Sequence, residues 1–414
     1  MKKIFLILLM LSILTARIYA DNQSNLELTI HCPKNDLKVG DEIPIVFTIT
    51  NKERQSYFYT DRKGDRSGRM REYQLVAKDE KGNTVPDPRR NYEFGIGGGL
   101  SSSDRYLQYG ESFTKVIVLN RWALIKEPGR YVVTGTYFSE DQVKISSQAI
   151  EVVVKQRSNE EMGEYINKLI SELNTIKMTP RAEVDKLEKK IWADKFDRDA
   201  YEKYQKIANK RCDLEKRKEI LKKMMYTCDK RIVPALIDLM YKNFTESEVF
   251  WAKEAFRFYL PKDPEIKKTV LGTAKKRGLA PGMQSVLENY DCGEDELKDV
   301  ISTSLASTNP YVMGAGVIAA QEHPHDEYTP RLISIATHPD EESITRSRAI
   351  YAIAFNRTDE GVEALKNLLE NPDESVRQTT ARAINQAYKR QAIKTYKGRP
   401  LKKDDFGNEF RGNY

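Results

Sequence analysis

The stretch from Thr358 to Ile384 reads TDEGVEALKNLLENPDESVRQTTARAI, and it decides how the second half of the chain is interpreted. Its first part, Gly361–Leu369, places apolar residues three and four positions apart, the spacing of a helix with one buried face. A turn at Asp373–Arg377 follows, and alanines recur at helical spacing after it. The stretch therefore predicts two helices joined by a short turn.

Segments of the same kind recur along the second half of the chain. Candidate first helices appear about every 32 residues, at Pro234–Leu239, Lys268–Leu271, Leu297–Ile301, Pro330–Ile335 and Gly361–Leu369. Candidate second helices start at Val312, Ile344 and Val376, with Val249 two steps earlier. One helix pair cannot bury its apolar face alone, so we expect neighbouring pairs to stack into a continuous core.

These repeats resemble the HEAT repeat family, in particular the short repeats of proteins similar to phycobilin lyases. The unit at Thr358–Ile384 follows the family pattern best, the unit at 263–292 departs from it, and the resemblance covers about 215–388. It implies a HEAT-like α-solenoid, assigned to 215–393, with an extended concave surface suited to binding. The charged helices over 157–214 are interpreted as a linker and cap of the solenoid.

The first half of the chain alternates apolar and polar residues and is rich in β-branched side chains. Gly, Pro, Asn and Asp separate six predicted strands, at Leu26–Ile30, Ile43–Thr50, Tyr73–Ala77, Phe113–Leu119, Tyr131–Tyr137 and Ala149–Val154. Leu37–Ile43 leading into Phe47–Asn51, and Pro128–Tyr131 further on, resemble the immunoglobulin-like sandwiches that open many exported bacterial proteins. The same pattern is similar to the bacterial intracellular proteinase inhibitor fold. The fold class expected is therefore an all-β immunoglobulin-like sandwich over 21–156, followed by the all-α helical-repeat solenoid.

The first twenty residues predict a signal peptide. Lys2 and Lys3 precede the apolar run Ile4–Leu14, and Ala20 provides a small residue for cleavage. The run is shorter than the about 20 residues that cross a bilayer, so we expect no membrane span. A signal peptide over 1–20 implies a periplasmic or secreted protein.

Charge is balanced over the chain. The formal charge of +7 falls to +4 without the three cations Lys2, Lys3 and Arg17, and residues of both signs make up 31% of the sequence. This composition indicates a solvated surface and gives no reason to expect nucleic acid as a partner. The polar segment 394–414, with several glycines and a proline, predicts a flexible tail.

Histidines and carboxylates cluster in two places, His323-Pro-His325-Asp-Glu327 and His338-Pro-Asp-Glu-Glu342. Three such ligands could hold zinc. However, the predicted helix between the clusters, about twelve residues long, separates them by roughly 18 Å. We interpret both as capped turns, in which proline ends one helix and an acidic residue begins the next. No metal-binding residue is assigned.

Other polar segments are interpreted as loops or packing residues. Gly95–Ser103 resembles a phosphate loop only in its glycines, because no helix follows to present backbone N–H groups. The aromatics Tyr57–Tyr59 precede a basic stretch that suits stacking and anion contact, but a solvated loop is preferred: Arg62, Lys63, Arg66, Arg69 and Arg71. The repeat arginines are interpreted first as inter-repeat hydrogen-bond donors and only secondarily as binding residues: Arg346, Arg348, Arg377 and Arg382.

Four cysteines follow the signal segment, namely Cys32, Cys212, Cys228 and Cys292. An exported protein can form disulfides, but four thiols allow three complete pairings. A bridge from Cys228 to Cys212 or Cys292 and free thiols both remain open.

The function expected is that of an exported, non-catalytic interaction protein binding a protein or glycan at the cell envelope, through the solenoid surface, the sandwich loops or both. Nucleophile motifs are missing from the sequence, so no catalytic and no cofactor-binding residue is assigned. Two alternatives are an enzyme resembling bilin lyases and a proteinase inhibitor acting through the Gly95–Ser103 loop. The oligomeric state is left open.

Overall fold

The computed structural model describes most of the chain, in two compact units. The described residues are 26–62, 69–70, 72–89, 102–138, 144–176, 183, 186–187, 190–191, 198–208, 211–242, 246–339, 341 and 343–391. The two units are Met1–Tyr165 and Ile166–Tyr414. The predicted signal peptide, 1–20, and the predicted tail, 394–414, lie outside the described residues.

The first unit is built mostly of strands. They are β1 (Leu26–His31), β2 (Leu37–Lys38), β3 (Pro44–Asn51), β4 (Tyr57–Arg62), β5 (Tyr73–Lys78), β6 (Ser102–Leu107), β7 (Ser112–Val118), β8 (Gly129–Phe138), β9 (Lys144–Ser146) and β10 (Ile150–Lys155). One antiparallel sheet has the order β1-β3-β7, and another has the order β2-β10-β8-β5 with β9 paired to β8. The strands β4 and β6 pair separately. All six predicted strands are present.

The core of this unit lies where apolar side chains of both larger sheets meet. In β3 the buried residues alternate along the strand as Ile45, Phe47 and Ile49, each at most 1% exposed. This is the pattern of a strand with one covered face. A Cβ on Gly135 of β8 would lie 2.9 Å from the Phe47 ring. Glycine at that position therefore lets the two sheets come into contact.

The second unit is helical, and its first helix begins within the first unit. The helices are α1 (Asn159–Thr175), α2 (Arg198–Ala208), α3 (Arg211–Tyr226), α4 (Val233–Lys242), α5 (Glu246–Glu254), α6 (Pro264–Arg277), α7 (Met283–Asn289), α8 (Glu294–Leu305), α9 (Pro310–Glu322), α10 (Thr329–Thr337), α11 (Ser343–Asn356), α12 (Asp359–Leu369) and α13 (Glu374–Gln391). Ser158 and Glu161 form a reciprocal capping box at the start of α1.

Every predicted first and second helix of the repeats falls inside an observed helix. The predicted first helices lie in α4, α6, α8, α10 and α12, and the predicted second helices begin in α5, α9, α11 and α13. The helix α7 was not predicted. Helices pack within a repeat, as α10 does on α11, and also between repeats, where α9 packs on α11 and α11 on α13. The irregular unit expected at 263–292 contains the short α7, of 7 residues.

Candidate interaction surfaces

A ladder of side-chain pairs joins successive repeats on their first-helix side. The Nζ atom of Lys267 lies 2.9 Å from a Glu296 carboxylate oxygen, and that of Lys298 lies 2.6 Å from Glu327. The hydroxyl of Thr358 donates to that of Thr329 at 3.1 Å. The two partners of each pair are 29 residues apart in the sequence. Equivalent positions of neighbouring repeats therefore meet in one register.

The ion pairs of the ladder shift the pKa values of their own members. The hydrogen bond from the Lys267 ammonium lowers the pKa of Glu296, and the same bond raises the pKa of Lys267. The hydrogen bond from Lys298 likewise lowers the pKa of Glu327. Lys267 and Lys298 thus have acidic partners within the chain.

The junction between two repeats is fixed by a buried polar group. The Asn356 side chain, 5% exposed, accepts a hydrogen bond from the His325 backbone N–H at 3.0 Å and donates to its carbonyl at 2.9 Å. The Arg357 guanidinium, 1% exposed, donates to the Ala387 carbonyl. Asn356 thus satisfies the backbone N–H of His325 at the start of the helical turn Asp326–Tyr328, and Arg357 adds a hydrogen bond to a carbonyl within α13.

The second helices of two adjacent repeats present a different kind of surface, here called the second-helix surface. It consists of the partly or fully exposed stripes Tyr311, Ala315 and Ile318 on α9 and Ile344, Arg348 and Tyr351 on α11. Positions three and four apart share one side of a helix, and α9 packs against α11. The Ile344 side chain is 54% exposed. Ile344 is therefore exposed to solvent, and the other apolar and aromatic side chains of the two stripes are partly exposed.

Arg348 distinguishes this surface from the ladder. It is exposed, and no acidic group within the described part of the chain lies close enough to form an ion pair with it. An arginine beside a partly exposed tyrosine and an exposed isoleucine is a composition found at protein interfaces, where arginine and tyrosine are enriched. This cation is therefore available to a partner.

The predicted roles of the repeat arginines are partly wrong. Arg377 donates to the carbonyls of Asn371 and Pro372 within its own repeat, because it follows that turn directly. Inter-repeat donation comes instead from Arg331, which bonds the Leu305 carbonyl at 2.8 Å, and from Arg357. The sequence reasoning missed both residues. Arg331 lies in the first turn of α10, and Arg357 directly precedes the N-cap of α12. This position at a helix start was the signal that the sequence offered.

The histidine clusters form helix ends, as the geometric argument expected. His323 ends α9, and its Nε2 lies 2.9 Å from a carboxylate oxygen of Glu288. The His325 ring accepts a hydrogen bond from the Glu327 backbone N–H at 3.3 Å. His338 directly follows α10. The two clusters thus stand at opposite ends of α10.

The basic stretch near Tyr57 is not wholly a solvated loop. Residues 63–68 lie outside the described residues, but the Arg69 side chain is 4% exposed and forms an ion pair with Asp87. Its guanidinium carbon lies 4.3 Å above the Trp122 ring centre. Arg69 is therefore a packing residue, which corrects the prediction for this position. The Tyr59 ring stacks on Phe113 with centroids 4.1 Å apart, so this aromatic belongs to the strand as expected.

Most of the Gly95–Ser103 loop lies outside the described residues, and its last two residues belong to β6. The neighbouring β4 and β6 expose a cross-strand aromatic pair that the sequence analysis did not single out. Phe58 is 39% exposed and Tyr106 is 64% exposed, with ring centroids 5.4 Å apart. Both residues occupy the strand positions whose side chains point away from the core.

The structure excludes one of the two disulfide bridges considered for Cys228. Cys32 and Cys292 are free thiols, so the bridge between Cys228 and Cys292 is not formed. The side chain of Cys212 lies outside the described residues. Burial raises the pKa of the Cys292 thiol, which keeps it protonated at neutral pH.

Comparison with known families identifies the repeats. Residues 295–385 match the family model for HEAT repeats. This range covers α8 from its second residue, all of α9 to α12, and the first twelve residues of α13. A search among curated proteins gives no match. Within the described residues, every helix is too short or too polar to cross a bilayer.

Proposed function

We propose that this chain is an exported, non-catalytic interaction protein that binds a protein or glycan partner at the cell envelope. The HEAT repeats supply the binding surface, and we extend them to a HEAT-like solenoid over 215–393. In the first unit, we infer that the sheets β1-β3-β7 and β2-β10-β8-β5 are the two layers of an immunoglobulin-like sandwich. The close approach at Gly135 supports that arrangement.

The observation that carries the binding proposal is the second-helix surface. The Ile344 side chain is 54% exposed, and contact of this apolar surface with water is unfavourable. Arg348 has no acidic partner within the described part of the chain. The ladder side, in contrast, neutralises its own charges through Lys267 and Lys298. A partner that covers Ile344 and supplies a carboxylate to Arg348 would satisfy both residues. We therefore assign protein binding to this surface.

The test is capture from an envelope extract with the immobilised full chain and two variants. Ile344→Glu with Arg348→Glu alters the second-helix surface, and Val132→Glu, at a residue 44% exposed on β8, is the matched control. We expect a captured partner to be reduced roughly tenfold by the first variant, because an apolar contact and a cation are both lost. The control is expected to capture as much as the unaltered chain.

Equal capture by all three proteins would overturn the assignment of the binding surface. Loss with Val132→Glu alone would move the binding to the first unit. Circular dichroism of each variant checks that the exposed substitutions leave the fold intact, as surface changes usually do.

A further inference from the structure

The basic residues of the HEAT repeats differ in whether the chain itself provides their partners. Within 295–385 the structure describes every residue except Asp340 and Glu342. Five of the lysines and arginines in this range are bonded within the chain, namely Lys298, Arg331, Arg357, Lys366 and Arg377. In the described part of this range, no ion pair or hydrogen bond holds the guanidinium groups of the other three, Arg346, Arg348 and Arg382. Arg346 is partly buried, whereas Arg348 on α11 and Arg382 on α13 are exposed.

Arg348 and Arg382 lie on the same side of neighbouring helices. Buried positions of α11 recur 31 residues later as buried positions of α13: Thr345, Ala349, Ala352 and Ile353 correspond to Val376, Thr380, Ala383 and Ile384. The same step leads from Tyr351, a member of the second-helix surface, to the exposed Arg382. Because α11 packs on α13, Arg382 lies directly beside the second-helix surface, on a third helix.

Helix geometry sets the spacing of the two arginines. Axes of packed helices lie about 8–10 Å apart, and the three positions from Arg348 to Tyr351 add roughly 4.5 Å along the axis. The backbones at Arg348 and Arg382 are therefore about 10 Å apart. An extended peptide rises about 3.3 Å per residue, so acidic residues about three positions apart in a peptide can reach both guanidinium groups.

The helix neighbours of both arginines are uncharged. The residues three and four positions away, which could form ion pairs within a helix, are Ile344, Thr345, Tyr351 and Ala352 around Arg348, and Gln378, Thr379, Asn385 and Gln386 around Arg382. The segment 392–414 contains six lysines and arginines and three acidic residues, so its net charge has the same sign as the two arginines. Charge complementarity therefore favours an acidic partner from outside the chain.

We propose that the second-helix surface, together with Arg382, binds an acidic peptide segment of a partner protein, with carboxylates on Arg348 and Arg382 and an apolar side chain on Ile344. This partner chemistry rests on the protein-binding function proposed above. The planar fork of arginine donates two parallel hydrogen bonds to one carboxylate. The 54% exposed Ile344 favours a peptide over a carboxylated polysaccharide, which has no apolar side chain to cover it.

Selection of a random peptide display library on the immobilised full chain tests this chemistry. We expect the enriched sequences to carry acidic residues about three positions apart beside an apolar residue. One enriched peptide is then synthesised, and its affinity is measured by fluorescence anisotropy. We expect Arg382→Gln to weaken this affinity about tenfold, because one of two ion pairs is lost, and added salt to weaken it as well. Lys366→Gln, on α12, is the matched control.

Lys366→Gln removes the same charge, but Lys366 pairs with Glu363 on the first helix of its repeat, so the peptide affinity should not change. Enrichment of no sequence, or of neutral or basic sequences, would overturn the proposal, and so would equal affinity of Arg382→Gln and the unaltered chain. Circular dichroism checks that Arg382→Gln is folded.

Two further measurements identify other occupants, and either positive result contradicts a peptide partner. Displacement of the peptide by polygalacturonate at equal carboxylate concentration would assign the surface to a carboxylated glycan. Dimers in light scattering that Arg382→Gln dissociates would assign it to a second copy of the chain. If the peptide results fail while Ile344→Glu with Arg348→Glu still reduces capture from the envelope extract, the proposed function stands and only the acidic chemistry of the partner is wrong.

Discussion

At the scale of single residues, the exposure of the charged side chains distinguishes ion pairs that stabilise the fold from surface pairs that contribute little. Arg69 and Asp87 form a pair whose arginine side chain is 4% exposed, whereas Lys155 and Asp36 form one at 2.8 Å with side chains 60% and 73% exposed. Water screens the second pair, and side-chain entropy offsets most of its attraction. In the first pair the guanidinium depends on its partner, because few water molecules can replace the carboxylate.

Asp87→Asn is therefore expected to lower the free energy of unfolding by about 2 kcal/mol, because it leaves a buried guanidinium without its counter-charge. Asp36→Asn is the matched control and is expected to leave the urea midpoint of the full chain unchanged. Equal urea midpoints for both variants and the unaltered chain would show that Arg69 does not need Asp87.

Helix packing depends on how closely two elements approach. A Cβ on Gly316 of α9 would lie 2.6 Å from the Ser304 Cβ and 3.0 Å from the Leu305 backbone nitrogen. Neither atom is the end of a flexible side chain, so α8 itself would have to move. Gly272, inside α6, has nothing within 4 Å of the same position. The close packing of α8 and α9 therefore requires a glycine at Gly316, whereas no packing contact requires one at Gly272.

We expect Gly316→Ala to destabilise the protein by about 1–3 kcal/mol, the usual cost of overpacking a core. Gly272→Ala should stabilise it by about 0.5–1 kcal/mol, because alanine loses less backbone entropy in a helix. Thermal unfolding of both variants measures the difference. Stabilisation by Gly316→Ala would mean that α8 and α9 are less closely packed than described.

At the scale of the whole molecule, the ladder links stability to pH. The folded pKa values of Glu296 and Glu327 are lowered, so their contribution is present above the unfolded pKa. It is lost as the pH falls through the folded value. The raised pKa of Lys267 contributes stability at every pH below the ordinary lysine pKa, and this contribution is lost only at strongly alkaline pH. The relevant window therefore lies at and below the ordinary glutamate pKa, about 4.3.

Glu296→Gln with Glu327→Gln is expected to lower the thermal midpoint at neutral pH, and this difference should shrink as the pH is lowered through that window. Thr358→Ala provides the contrast. It removes a helix cap on Gly361 and a ladder hydroxyl, costing about 1 kcal/mol at every pH because a hydroxyl does not titrate. Calorimetry at several pH values measures both, and a pH-independent deficit in the glutamate variant would contradict the ladder's electrostatic role.

The sequence predicted features that depend on local pattern and missed those that depend on distant contacts. Alternation in Ile45–Ile49 predicted β3, and the recurrence at Val312, Ile344 and Val376 predicted the second helices. The strand β2, Leu37–Lys38, is too short to show alternation. The burial of Arg69 depends on Asp87 and Trp122, which are far along the chain.

The two partners of each ladder pair are 29 residues apart in the sequence, and this constant separation restricts which insertions and deletions the chain tolerates. Inserting or deleting one amino acid between Lys298 and Glu327 would shift one end of a contact and leave its counterpart facing the wrong neighbour. Adding or removing 31 residues at once, the step from Lys267 to Lys298 and from Lys298 to Thr329, would keep every such contact in place. Block duplication is therefore the form of growth that this architecture tolerates, and it would lengthen the exposed stripes in the same increments.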